Sequence, residues 1–120
     1  MKIYGEGVYQ NERADLVGLG YIVYAIERVE DSIKWLGTSE DTLQFVLAEL
    51  DMLITLGEKF PKDINVKLKK SRIKFWQECF YAWYEKNCMK IPKQYREATK
   101  KNADEIFSKL GKYGHSLDWL

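Results

Sequence analysis

Apolar side chains recur along most of the chain at the three- and four-residue spacing of an α-helix. Four such stretches are separated by Gly37, Pro61 and Pro92, residues that typically end or begin helices. We therefore predict an extended arm over 1–10, helices over about 11–36, 39–59, 63–88 and 92–110, and a tail over 111–120. Short joints between long helices favour an all-α, antiparallel four-helix bundle, formed as one domain over 1–120.

The clearest core signal lies in Ile73–Met89 of the predicted third helix, which holds six of the seventeen aromatic residues and both cysteines. At about 100° per residue, Trp76, Phe80 and Trp83 fall on one face, which predicts that they are buried. Phe75 falls nearly opposite. A helix with apolar residues on both sides needs cover on more than one side.

The other helices each carry one principal apolar stripe. In the first helix, Gly18 and Gly20 each lower helix stability, so either close packing compensates for them or the helix begins only after Gly20. The three predicted core stripes are Leu16, Leu19, Ile22, Val23, Ile26, Val29 and Ile33; Leu43, Val46, Leu47, Leu50, Leu53, Ile54 and Phe60; and Tyr95, Ala98, Thr99, Ala103, Ile106 and Leu110.

Three of the helices also carry a second apolar patch, which a monomeric bundle does not need. Such patches are covered by a second copy, by another protein, or by the arm and tail of the same chain. If a partner covers them, the predicted contact residues are Tyr21, Tyr24, Trp35, Phe45, Met52 and Phe75.

The net charge of +1 conceals an uneven distribution. Residues 1–60 carry five basic and eleven acidic side chains, whereas residues 61–101 carry twelve basic and four acidic ones. Either acidic helices pack beside basic ones, or a basic face meets a polyanion. In the second case segment 62–101 would bind nucleic acid through Lys67, Lys69, Lys70, Arg72, Lys74, Arg96, Lys100 and Lys101.

Few residues suggest catalysis or metal binding. His115 is the single histidine, and Cys79 and Cys88 fall on nearly opposite sides of one helix, so they cannot hold one metal ion together. His115, Ser116 and Asp118 are too close in sequence to form a catalytic triad. Glu30 lies in an apolar stripe, and we expect it to pair with Arg72 or Lys69. We predict no enzyme activity, no metal and no cofactor.

The pattern therefore favours a small, non-enzymatic helical interaction protein, acting as a homodimer, a subunit of a complex, or an inhibitor or adaptor of a partner protein. The alternative is a nucleic-acid-binding bundle that uses segment 62–101. The longest nearly unbroken apolar run, Val17–Ile26, is too short to cross a bilayer. The first residues lack the apolar run of a secretory signal, so we expect a cytoplasmic protein without membrane association.

Overall fold

A computed structural model describes residues 2–8, 11–36 and 42–117. The predicted all-α class is confirmed. In this part of the chain there are five α-helices and one short 3₁₀ turn, Cys88–Lys90. The helices are α1 (Glu12–Lys34), α2 (Thr42–Lys59), α3 (Pro61–Lys67), α4 (Lys70–Asn87) and α5 (Lys93–Leu110). The predicted start of the second helix at 39 and the end of the tail, including Trp119, lie outside the described residues.

Helix α1 begins and ends close to the predicted residues. Asn11 is the N-cap, and its side-chain oxygen accepts a hydrogen bond from the Ala14 backbone N–H at 2.9 Å. The helix passes through both glycines instead of beginning after Gly20. A β-carbon on Gly18 would lie 2.5–2.9 Å from three carbons of the Phe60 ring, so the absence of a side chain allows this close packing.

The prediction of one continuous third helix is wrong. The chain instead forms two helices, α3 and α4, separated by a break at Leu68 and Lys69. Both residues have extended backbone conformations. The C-terminal segment pairs with this break: the His115 N–H donates to the Leu68 carbonyl at 2.9 Å, and the Lys70 N–H donates to the His115 carbonyl at 2.8 Å. The break lets Leu68 enter the core, whereas a continuous helix would direct it away.

Lys70 strengthens the same junction. Its amine donates to the carbonyl oxygens of Gly111 and Tyr113, both at 3.0 Å, just beyond the end of α5. A cation at this position satisfies carbonyls that the helix leaves unpaired and interacts favourably with the helix dipole. Asn65 completes the junction, since its side-chain oxygen accepts the Gly114 N–H at 2.8 Å.

The core lies where α1 packs against α2, α3 and α4, and where α5 packs against α2 and α4. Trp76 and Phe80 are fully buried at its centre, as predicted, and Trp83 is buried beside them. Phe107, which the predicted stripe of the last helix missed, packs against Phe80 with 5.9 Å between ring centroids. Four residues of the predicted core stripes are instead exposed: Leu16, Val23, Tyr95 and Ala98.

The N-terminal arm is not extended throughout. Residues 5–8 form bends and a turn, and Ile3 then pairs with Asn11 in an antiparallel bridge. The Glu12 N–H donates to the Lys2 carbonyl at 2.9 Å, which closes the loop against the start of α1. Ile3, Tyr4 and Val8 of the loop are themselves exposed.

Candidate interaction surface

One side of α1 is buried, and a row of exposed residues follows an adjacent side, roughly 110° around the helix from the buried one. The buried side consists of Gly18, Ile22, Ala25, Val29, Ser32 and Ile33. The exposed row, which we call the α1 outer stripe, consists of Val17, Tyr21, Tyr24, Arg28, Asp31 and Trp35.

The aromatic members of the α1 outer stripe are its most exposed apolar residues. Tyr21 is 58% exposed, Tyr24 60% and Trp35 62%. Each member follows the previous one by four or three residues in alternation, which keeps the row on one side of the helix. Single exposed apolar residues are ordinary on protein surfaces, whereas several large ones along one side of a helix are typical of an interaction site.

A groove of about 490 Å³ follows the first half of the α1 outer stripe. It is lined by Leu16, Val17, Gly20, Tyr21 and Tyr24. A β-carbon on Gly20 would meet nothing within 4 Å, so this glycine leaves open space between the side chains of the groove. Leu16, which the sequence places in the core, contributes to this surface instead.

A second groove of about 280 Å³ lies at the other end of the stripe, between α1 and α2. Trp35 and Phe45 supply its aromatic lining, and Arg28, Asp31 and Ser32 supply its polar lining. Arg28 is held by Glu49 of α2, with 3.3 Å between the guanidinium Nε and the carboxylate. The groove therefore combines two large rings with a cation and an anion.

Four of the six predicted contact residues thus line the two grooves: Tyr21, Tyr24, Trp35 and Phe45. The other two lie apart from the grooves, although both are exposed. Met52 lies further along α2, and Phe75 lies on α4, where the Arg72 guanidinium carbon is 4.7 Å from the centroid of its ring. The structure therefore concentrates the predicted contacts on α1 and the adjoining turn of α2.

Several cations of the basic segment have roles inside the molecule. Arg72 forms the predicted ion pair with Glu30 through two bonds of 2.7 and 2.5 Å, and this bonding raises the pKa of the guanidinium. Arg96 donates to the carbonyls of Ile91 and Met89 at 2.8 and 3.1 Å, which braces the connection before α5. Lys70 holds the C-terminal junction described above.

The other cations that the sequence predicts to bind nucleic acid do not lie on one helix. Lys67 is exposed on α3, Lys74 on α4, and Lys100 and Lys101 on α5. Lys69 lies in the break between α3 and α4 and forms a parallel bridge with His115. The basic residues therefore divide between internal braces and exposed positions on three different helices.

Two thiols and one tyrosine hydroxyl lie at the edge of the helical core. Both cysteines are half-buried free thiols, and burial raises the pKa of Cys79, with the neighbouring Glu78 adding to the effect. The Tyr81 hydroxyl donates a hydrogen bond to Asp104 of α5, a contact that no local sequence signal indicated. Within 2–8, 11–36 and 42–117, no three His, Cys, Asp or Glu side chains come together as metal ligands do.

Comparison with known proteins does not assign this chain to a family. No protein-family model matches the chain, and neither the curated proteins nor the solved structures give a significant match. None of the described helices combines the length and the apolar character needed to cross a membrane.

Proposed function

We propose that this chain is a non-enzymatic helical interaction protein and that the α1 outer stripe, with Phe45 beside it, is its interface. The observation that carries the proposal is the set of three aromatic side chains, each more than half exposed, along the side of α1 that flanks its buried face. Aromatic residues are the commonest anchors of protein interfaces, because each buries a large area at a small cost in conformational entropy.

The two grooves support a protein partner in preference to a small substrate. They are open concavities along a helix. The first is lined mainly by apolar and aromatic side chains, and the second combines two large rings with Arg28, Asp31 and Ser32. A helix or a comparable ridge from a partner fits such a surface, since its side chains enter grooves at regular intervals. Arg28 and Asp31 then supply the polar contacts that fix the orientation of that partner.

The proposal is tested by the mass of the particle that the protein forms in a cell extract. A tagged chain is compared with the variant Tyr21→Glu/Tyr24→Glu and with a control, Lys100→Glu/Lys101→Glu, whose changes lie on α5. We expect the wild type and the control to form a particle heavier than one 14.2 kDa chain. The stripe variant should return to the mass of one chain, because carboxylates placed in an apolar interface lose their hydration.

Two results would contradict the proposal. One is a wild-type particle with the mass of a single chain in the extract. The other is a heavier particle that survives the stripe variant, whether or not the control loses it. If that second particle is lost in the control and also absorbs strongly at 260 nm, the alternative of nucleic-acid binding through segment 62–101 replaces the present proposal.

A further inference from the structure

The α1 outer stripe has the spacing of a helix that pairs with another helix. Its members follow one another at intervals of four, three, four, three and four residues, from Val17 to Trp35. This is the alternation of the two contact positions in a heptad repeat, in which one narrow row faces a partner helix over several turns. The buried side of α1, about a third of a turn around the helix from the stripe, is already occupied by the core.

We propose that the partner of this stripe is the same stripe of a second copy of the chain, with the two α1 helices antiparallel. This inference rests on the proposed function and adds to it the identity of the partner and the register. In the antiparallel register that we propose, the numbers of two facing residues add up to 52. Residue 24 of one copy therefore faces residue 28 of the other, 21 faces 31, and 17 faces 35. Among registers one heptad apart, this one engages all six members of both copies.

The charges of the stripe favour this direction. In the antiparallel register, Arg28 of one copy faces the ring of Tyr24 of the other, an arrangement suited to a cation–π contact. Asp31 faces Tyr21 of the other copy, whose hydroxyl can donate a hydrogen bond to the carboxylate. Parallel pairing would instead place Arg28 against Arg28 and Asp31 against Asp31, and facing like charges disfavour an interface.

The grooves are complementary in the same register. Trp35 of one copy faces Val17 of the other, at the groove that Gly20 leaves open. Val17 in turn faces the groove between Trp35 and Phe45. Each copy therefore offers a large ring to one groove and receives a small side chain in the other. The two-fold relation forms both contacts twice, as in a closed symmetric dimer.

The register is tested by disulfide cross-linking in a background in which Cys79 and Cys88 are changed to alanine. A Tyr21→Cys protein is mixed with an Asp31→Cys protein and oxidised with copper phenanthroline. The mixture should give a cross-linked dimer that contains one copy of each. The symmetric dimer has two contacts between residues 21 and 31, and only one of them carries the cysteines. In the other contact the native Asp31 of the first protein faces the native Tyr21 of the second.

Each variant oxidised alone is the matched control. In the antiparallel register, two copies of residue 21, or of residue 31, lie about 15 Å apart along the helix axis, beyond the reach of a disulfide. We therefore expect several-fold less cross-linking from either variant alone than from the mixture. Cross-linking of each variant alone, without enrichment in the mixture, would overturn the register in favour of parallel pairing.

The two proposals fail in different ways. If no oxidation product forms and the purified wild type keeps the mass of one chain at every concentration, pairing with a second copy is excluded. The proposed function then still stands if the particle in the cell extract is heavy and depends on Tyr21 and Tyr24. If that particle does not depend on these residues, the proposed function fails.

Discussion

The junction between the C-terminal segment and the break at Leu68 and Lys69 depends on the backbone conformation of Gly114. Its φ of +91° lies in the region that only glycine adopts without strain. A β-carbon there would approach the Leu68 carbonyl oxygen to 2.9 Å, the same oxygen that accepts the His115 N–H. Conformation and close approach therefore both exclude a side chain at this position.

We expect Gly114→Ala to lower the free energy of unfolding by about 1–3 kcal/mol, because the strained conformation and the contact with Leu68 act together. Gly111→Ala is the matched control, since a β-carbon at Gly111 would make only ordinary contacts of 3.4 and 3.5 Å. Urea unfolding of the two variants measures the difference. Equal stabilities would show that the junction does not need glycine at 114.

Tyr81 gives the structure a dependence on alkaline pH. Burial of the ring and its hydrogen bond to Asp104 raise the pKa of the phenol well above its usual value near 10. The folded state therefore retains this proton more strongly than the unfolded state. The resulting stabilisation is complete below pH 10 and is lost as the pH rises towards the native pKa.

We predict that Tyr81→Phe costs roughly 1 kcal/mol at pH 8, the usual net value of one hydrogen bond. The difference between wild type and variant should shrink as the pH rises above 10, because the unfolded wild-type chain then gains stability by ionising its phenol. Urea unfolding at a series of pH values from 8 to 11 checks this. A difference that stays constant with pH would contradict the assigned role of Asp104.

Among the elements, the bounds of α1 and α5 and the buried face of α4 could be predicted because their causes are local. Asn11 caps α1, Pro92 precedes α5, and helical spacing alone brings Trp76, Phe80 and Trp83 together. The break at Leu68 could not be predicted, since its hydrogen bonds come from His115, far away in the sequence. Nothing within the third stretch signals that such a partner exists.

The orientation of α1 shows a second limit of pattern analysis. Its buried side includes Gly18, Ala25 and Ser32, small residues that a count of large apolar side chains passes over. Small residues are buried where helices approach closely, and they turn the helix so that Leu16 faces outwards. The exposed aromatic residues of the α1 outer stripe were predictable from spacing, whereas Leu16 and the open groove at Gly20 were not.

The two glycines of α1 test this interpretation as a pair. Gly18→Ala should destabilise the protein by about 1–3 kcal/mol, because the new methyl group would overlap the Phe60 ring. Gly20→Ala should stabilise it by up to about 1 kcal/mol, since alanine favours a helix and the space there is open. Thermal unfolding compares the two variants. Effects of the same sign would mean that the packing of α1 differs from this structure.

The whole molecule measures 54 × 31 × 22 Å and is elongated. One of its ion pairs, Glu30 with Arg72, joins the acidic part of the chain to the basic part, whereas Arg28 and Glu49 pair within the acidic part. The Glu30–Arg72 pair is the kind of contact expected if acidic helices pack beside basic ones. With Lys70 and Arg96 also used internally, the surface that stands out is the aromatic side of α1, where both proposals converge.

Sedimentation equilibrium of the purified chain over a range of concentrations tests the pairing of the α1 outer stripe most directly. At micromolar concentration the wild type should have twice the mass of one 14.2 kDa chain, and so should the Lys100→Glu/Lys101→Glu control. Tyr21→Glu/Tyr24→Glu should have the mass of one chain and keep its helical circular dichroism. A wild type that sediments as a single chain at every concentration, or a stripe variant that still dimerises, would contradict pairing through α1.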